Sequence, residues 1–342
     1  MDLVAVGESM VALRPATPGA GLADADTFVR TAGGAESNVA CALAAAGHRT
    51  RWLSRVGDDA FGRYVTAGVA AYGVDVSGVV RDPGRPTGIY FRTAADRAAG
   101  ADGVAYYRAG SAASAMAPGC FGPALLAARV LHLTGITAAL SEGCADLLLA
   151  LTGAPRASLV SFDLNHRPAL RQDPALLLTL ARRAGLVFAG ADEAAALWGT
   201  IGPAALRALL PEPAQLVVKE GARGATLFTR ESGTGDTEVF VPAPRVDVVA
   251  ATGAGDGFAA GYLAGVLRGL GPEERLRLAH RFAGAALATP GDVPPPGDTT
   301  ATASATTPAR VTAPARATAP PAPPAAVPGT PRTTTPPAED TP

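Results

Sequence analysis

Lysine is almost missing from this chain: of 29 basic residues, Lys219 is the single lysine. With 40 Gly, 30 Pro and abundant Ala, this is a biased composition, so the number of arginines or alanines carries no argument by itself. Net charge is also nearly absent, at -1, leaving no field to draw the protein onto nucleic acid or an anionic membrane; neither is expected as a partner. Cysteine is scarce. Cys41, Cys120 and Cys144 stand far apart in no CxxC pair, which gives no disulfide framework or zinc site and fits a reducing compartment. The histidines, His48, His132, His166 and His280, show no metal-ligand spacing. No apolar run reaches the roughly 20 residues of a membrane helix. Met1 to Gly7 lacks the basic and then apolar pattern of a secretory leader, so a soluble cytoplasmic protein is expected.

What is present is a chain of 342 residues, 48% hydrophobic and 17% charged, able to bury a large core. Short apolar runs at Leu3–Val6, Thr50–Val56, Val130–Leu133, Leu159–Asp163, Leu186–Ala189 and Leu216–Lys219 read as buried strands. Helical patterns alternate with them at Ser37–Ala46, Phe61–Tyr72, Glu142–Leu151, Pro174–Arg183, Asp192–Trp198 and Asp256–Leu267. Such alternation predicts an α/β fold whose mostly parallel sheet is covered on both faces, with ligands at the carboxyl ends of the strands. Val11–Ala32 and Thr87–Arg108 break the rhythm with strand patterns that no helix separates, and predict a small β lid. From Pro294 onward there is no aromatic residue and no Leu, Ile or Met, while Pro, Thr and Ala dominate. Residues 293–342 are therefore expected to be a disordered tail after a domain spanning 1–292.

The chemistry is concentrated in Thr252-Gly-Ala-Gly-Asp256-Gly-Phe258, which runs into a helical pattern. Glycines at a loop-to-helix junction let backbone N–H groups converge on an anion, with the helix dipole in support. A carboxylate there is either a helix cap or a base accepting the proton of an attacking hydroxyl, and the local sequence is compatible with both. The segment is no Rossmann fingerprint, since Phe258 stands where the third glycine belongs. It is no Walker A loop either, because the lone Lys219 is followed by Glu220.

Taken with Gly33-Gly-Ala-Glu-Ser-Asn38-Val-Ala40 and Arg55-Val-Gly-Asp-Asp-Ala-Phe-Gly62, this segment resembles the two signatures of the ribokinase-like (PfkB) carbohydrate kinases, over roughly residues 1–292. The resemblance implies a three-layer ribokinase-like fold with a β-sheet lid, and transfer of the γ-phosphoryl group of ATP, with Mg²⁺, to a sugar hydroxyl. Asp256 is then the base, and the amides of Gly253, Ala254 and Gly255 form an anion hole. Gly33 and Gly34 form a hinge beside the sugar and Asn38 faces it, although the same glycines also read as a tight turn before a helix.

Within the family, the lid and the stretch Asp163-Leu-Asn-His-Arg-Pro168 resemble the 2-keto-3-deoxygluconate kinases. There the residues matching Arg108 and Arg167 bind the substrate carboxylate, and those matching Tyr90 and Tyr106 border the sugar. A planar guanidinium suits a carboxylate, whereas a neutral sugar needs no such donor. The alternative is that Arg108 pairs with Asp96 or Asp102 across the lid. On the nucleotide side the resemblance implicates Lys219, Gly221, Gly224, Thr252, Gly253 and Gly255, while locally Gly221 and Gly224 also read as a plain hairpin turn.

Two positions depart from the family pattern. Gly190 replaces the Asn of an Asn-x-x-Glu element, leaving Glu193 to reach Mg²⁺ through water. Ala250 replaces an Asp that in relatives helps bind a monovalent cation, so potassium activation is not expected. A homodimer or larger homo-oligomer through the lid is the expected assembly, since an open sheet offers edges to cover.

Overall fold

The computed structural model describes residues 1–17, 19–93, 104–154, 157–230, 235–250 and 252–297. The chain begins with β1 (Leu3–Val6), crosses to the lid strands β2 (Met10–Pro15) and β3 (Phe28–Gly33), and returns through α1 (Ala35–Ala45). Next come β4 (Thr50–Leu53), β5 (Arg55–Gly57), α2 (Ala60–Ala70) and β6 (Val80–Asp82), then the second lid pair, β7 (Ile89–Arg92) and β8 (Val104–Tyr107). The central stretch holds β9 (Val130–Thr134), α3 (Gly135–Ala138), α4 (Glu142–Gly153), β10 (Leu159–Asp163), α5 (Pro174–Arg183), β11 (Leu186–Gly190), α6 (Ala191–Trp198) and α7 (Pro203–Leu209). Strands β12 (Gln215–Lys219), β13 (Gly224–Arg230) and β14 (Asp236–Pro242) precede α8 (Ala254–Leu267) and α9 (Pro272–Leu287).

The main sheet has eight strands in the order β14-β13-β12-β11-β10-β9-β1-β4. It is parallel from β4 to β12 and antiparallel at β13 and β14. Its inner strands are buried on both faces, which is why they read as unbroken apolar runs: β1, β9 and β11 are buried along their whole length. One face packs on α1, α2, α8 and α9 through residues such as Leu43, Val65, Leu263 and Leu278, and the other on α4, α5 and α7 through Leu148, Leu180 and Leu206. The expected three-layer α/β architecture is the observed one. Polar residues start several helices: Asp59 accepts from Gly62 N at 2.6 Å ahead of α2, and Ser141 from Cys144 N at 3.1 Å ahead of α4.

The lid is a separate four-stranded sheet, β3-β2-β7-β8, with β2 and β7 parallel. Residues 94–103 of the expected lid segment, with Asp96 and Asp102, lie outside the described residues, as do residues 298–342 of the expected tail. Residues 293–297 are described, and Val293 packs against the core. The run Thr50–Val56, expected as one strand, is broken at Ser54, from which β5 leaves the main sheet to pair with β6. Among the described residues no helix is long and apolar enough to cross a membrane.

Candidate active site

The carboxyl end of the sheet gathers the first turns of α1 and α8, the loop after β10 and the near face of the lid. At α8 the cap is Gly253, with φ +77°, and the helix begins at Ala254. A Cβ on Gly253 would come within 2.1 Å of the Asp292 carbonyl, so both conformation and space require glycine there. The first amides of a helix have no partner one turn back, which leaves those that open α8 available to an anion.

Asp256 lies inside the first turn and does not cap it, which removes the helix-cap alternative. Its carboxylate is buried and accepts from Asn38 Nδ2 at 2.8 Å and from Asn165 Nδ2 at 3.4 Å. Burial pushes its pKa up to about 6, partly opposed by the Asn38 hydrogen bond and the Arg167 charge, while Asp163 and Asp292 push it further upward. Asn165 has φ +46°, an uncommon conformation for a residue with a side chain, and is held where it reaches Asp256.

Asn38, expected to face a sugar, spends its amide on Asp256 and, at 3.4 Å, on Asp292. Gly33 ends β3, and a Cβ there would approach the Tyr90 hydroxyl to 2.5 Å and Asp292 Oδ2 to 2.7 Å. Gly34 caps α1 with extended backbone, and a Cβ on it would meet the Glu8 carbonyl at 2.3 Å. Both glycines thus serve close approach at the point where the lid joins the domain.

On the lid, Tyr90 and Tyr106 stack with centroids 5.7 Å apart, and the Arg108 guanidinium lies 5.6 Å from the Tyr106 ring centre. Arg108 forms an ion pair with buried Glu8, whose other oxygen accepts from Ser111 Oγ at 2.6 Å. Among the described residues its acidic partner is therefore Glu8, in the turn after β1, which no local sequence signal marks. Arg167 comes from the loop after β10, is half-exposed, and places Nη1 3.8 Å from Glu193 Oε1.

Lys219 is largely buried and donates to both oxygens of Asp163, at 3.0 and 2.9 Å. Burial lowers the pKa of its ammonium, but the charges of Asp163, Glu193 and Asp256 outweigh this and hold it above the ordinary value. A Cβ on Gly255 would lie 3.7 Å from its Nζ, so this cation stands beside the glycine loop. Gly221 and Gly224 have φ +59° and +144° and turn β12 into β13, as the hairpin alternative required.

Glu193 Oε2 accepts from Gly190 N at 2.9 Å, so this carboxylate closes the start of α6, and the departure to Gly190 costs no cap. Among the described residues no group of three or more acidic, His or Cys side chains could hold a metal directly. Near Ala250, Asp247 is exposed.

Three residues of this site, Glu8, Arg92 and Asp292, carry no signal in the local sequence, and a fourth, Glu36, sits unremarked within the double-glycine motif. Arg92 and Asp292 pair at 2.7 Å between lid and domain. Glu36, fully buried in α1, accepts from Thr134 and Thr137, each at 2.7 Å. Burial pushes its pKa up to about 7, against those two hydrogen bonds and with the help of the Asp256 charge.

The model of the pfkB family of carbohydrate kinases matches residues 1–298. The chain is 35% identical over 306 residues to 2-dehydro-3-deoxygluconokinase of Bacillus subtilis (strain 168), covering 86% of this chain and 91% of the relative. It is 36% identical over 304 residues to the enzyme of the same name from Thermoproteus tenax, covering 85% and 90%. Among solved structures, a PfkB protein from Polaromonas sp. JS666 superimposes with a TM-score of 0.74 at 35% identity, over 84% of this chain and 95% of that one. A sugar kinase from Pyrococcus horikoshii in complex with ATP shares the fold, with a TM-score of 0.73 at 24% identity, over 85% and 93%.

Proposed function

Because the chain belongs to the pfkB family of carbohydrate kinases, we propose that it phosphorylates a sugar acid, 2-keto-3-deoxygluconate (2-dehydro-3-deoxygluconate), with Mg-ATP and with Asp256 as the base. The likeness to two 2-dehydro-3-deoxygluconokinases carries the choice of substrate. The guanidinium of Arg108, set beside the tyrosine pair on the lid, supports it.

In this mechanism Asp256 takes the proton of the acceptor hydroxyl as its oxygen attacks the γ-phosphorus in line. The new P–O bond forms as the bond to the β-phosphate oxygen breaks, and ADP leaves. The amides of Gly253, Ala254 and Gly255 hold the transferring oxygens, and Lys219 and Thr252 flank the phosphates. Burial suits Asp256 to proton abstraction, because a pKa near 6 leaves it ionised at neutral pH yet more basic than an exposed aspartate. Asn38 and Asn165 hold the carboxylate still. Tyr90, Tyr106, Gly33 and Gly34 border the sugar, while Arg108 and Arg167 receive its carboxylate. Gly221 and Gly224 let the nucleotide approach the turn after β12. Mg²⁺, when bound to the phosphates, supplies charge neutralisation, with Glu193 reaching its waters.

The setting is the cytoplasm, where ATP is supplied. A homo-oligomer formed through the lid would cover Val29 and Tyr107, large residues exposed on strands β3 and β8. ADP release measured over a panel of sugar acids and neutral sugars tests the substrate: 2-keto-3-deoxygluconate should give the highest kcat/KM. A higher value for fructose or ribose would refute the acid assignment.

A further inference from the structure

Arg92 ends lid strand β7 and is buried, with only 4% of its surface exposed. Its guanidinium leaves the lid and enters the catalytic domain. Nη1 donates to Asp292 Oδ1 at 2.7 Å and also to Thr252 Oγ1, at the mouth of the glycine loop. Nη2 donates to the Pro290 carbonyl at 3.4 Å. The other oxygen of Asp292, Oδ2, accepts from the Tyr90 hydroxyl at 3.5 Å and from Asn38 Nδ2 at 3.4 Å. That same Asn38 nitrogen donates to Asp256 Oδ2 at 2.8 Å.

Two buried carboxylates therefore share one amide donor. Like charges so placed disfavour one another's ionisation, and a cation on one of them relieves the other. We propose that Arg92 is a positioning residue of the transfer reaction: it neutralises Asp292 so that Asn38 can hold Asp292 and the base Asp256 together, and it ties Thr252 of the glycine loop to the lid. This rests on Asp256 being the base.

The charged and titratable groups that bear on Asp256 come from several elements: Arg167 and Asp163 from the end of β10 and the loop after it, Asp292 from the segment after α9, Lys219 from β12, Glu36 from α1 and Tyr90 from β7. Changing Arg92 or Asp292 leaves the other five in place, so the effect of this one pair can be read separately. Removing the Arg92 charge exposes Asp256 to an unbalanced Asp292. Neutralising Asp292 takes away a negative neighbour while the Arg92 charge remains. The two changes must act on Asp256 in opposite directions.

The test is the acid limb of kcat against pH, measured on the full chain at saturating ATP and sugar acid. Arg92→Met should move the limb upward by at least ~0.5 pH unit and Asp292→Asn downward by a similar amount, while Arg92→Lys, which keeps the charge, stays within ~0.2 unit of the parent. A pair that merely glues lid to domain would lower the melting temperature in Arg92→Met and Asp292→Asn alike and leave the limb where it was. Coincident limbs, or limbs moving the same way, overturn the proposal. If Arg92→Met fails to fold, the other two variants decide: no downward shift in Asp292→Asn, or an upward one in Arg92→Lys, overturns it. Asp256→Asn separates this result from the base assignment. If that variant is inactive and the limbs coincide, only the Arg92 proposal falls; if it retains turnover, both fall.

Discussion

Asn38 Nδ2 donates to Oδ2 of Asp256 across 2.8 Å, joining the first turn of α1 to the first turn of α8. Asn38, in the helix that the double glycine opens, is thus a partner of the residue that follows the glycine loop. This hydrogen bond favours the ionised carboxylate and opposes the effect of burial. Asn38→Ala is predicted to raise the acid limb of kcat, so that activity at pH 6 falls more than activity at pH 8. A pH-rate profile checks this, and an unmoved limb would show that Asn38 has no hold on the ionisation of Asp256.

Arg167 is the cleaner of the two arginines to remove, because it is half-exposed, whereas loss of Arg108 would leave Glu8 buried without its cation. Arg167→Ala should raise the KM for sugar acids by about 10-fold to 100-fold, the worth of a charge-assisted hydrogen bond, and leave neutral sugars unaffected. The assay belongs at pH 8, since Arg167 also lowers the pKa of Asp256. Equal effects on acids and neutral sugars would deny it a carboxylate-binding role.

Glu36 gives stability a pH dependence whose sign can be worked out. Its pKa is about 7 when folded against an ordinary value of 4.5, so the folded state binds more protons between these pH values and stability falls as pH rises through them. The loss is on the order of 3 kcal/mol by pH 8. Glu36→Gln, whose Oε1 can still accept from Thr134 and Thr137, should flatten the decline between pH 5 and 8. Denaturant melts across that range measure it, and an unchanged slope would place the pH dependence elsewhere.

Removing residues 298–342 is predicted to leave melting temperature and turnover within error, whereas a cut before Asp292 would remove the partner of Arg92 and the packing of Val293. A loss of activity in the first truncation would give the tail a role that its composition does not indicate.

Much of this molecule could be read from local sequence. Strands of a parallel sheet are buried on both faces, so Leu3–Val6 and Leu159–Asp163 stand out as apolar runs and match the observed strands. The glycine loop declared itself through spacing. The break at Ser54 did not, because it depends on which neighbouring strand each half pairs with. Helix α9 had a usable signal, with Pro272 in its first turn and Glu274 reaching back to Gly271 N at 3.1 Å. Glu8, Arg92 and Asp292 had none. Arg92 and Asp292 meet across 200 positions of chain, and Glu8 meets Ser111 across 103, so their roles exist only once lid and sheet are assembled.

The base assignment is tested most directly by Asp256→Asn, assayed at pH 8 with 2-keto-3-deoxygluconate and Mg-ATP, with binding of both followed by calorimetry. Asparagine preserves the shape of a buried group whose ionisation burial already opposes, so the fold should survive. The kcat should fall by about 10²-fold to 10⁴-fold, with both affinities within a few-fold of the parent. A kcat within about threefold of the parent would contradict the base assignment.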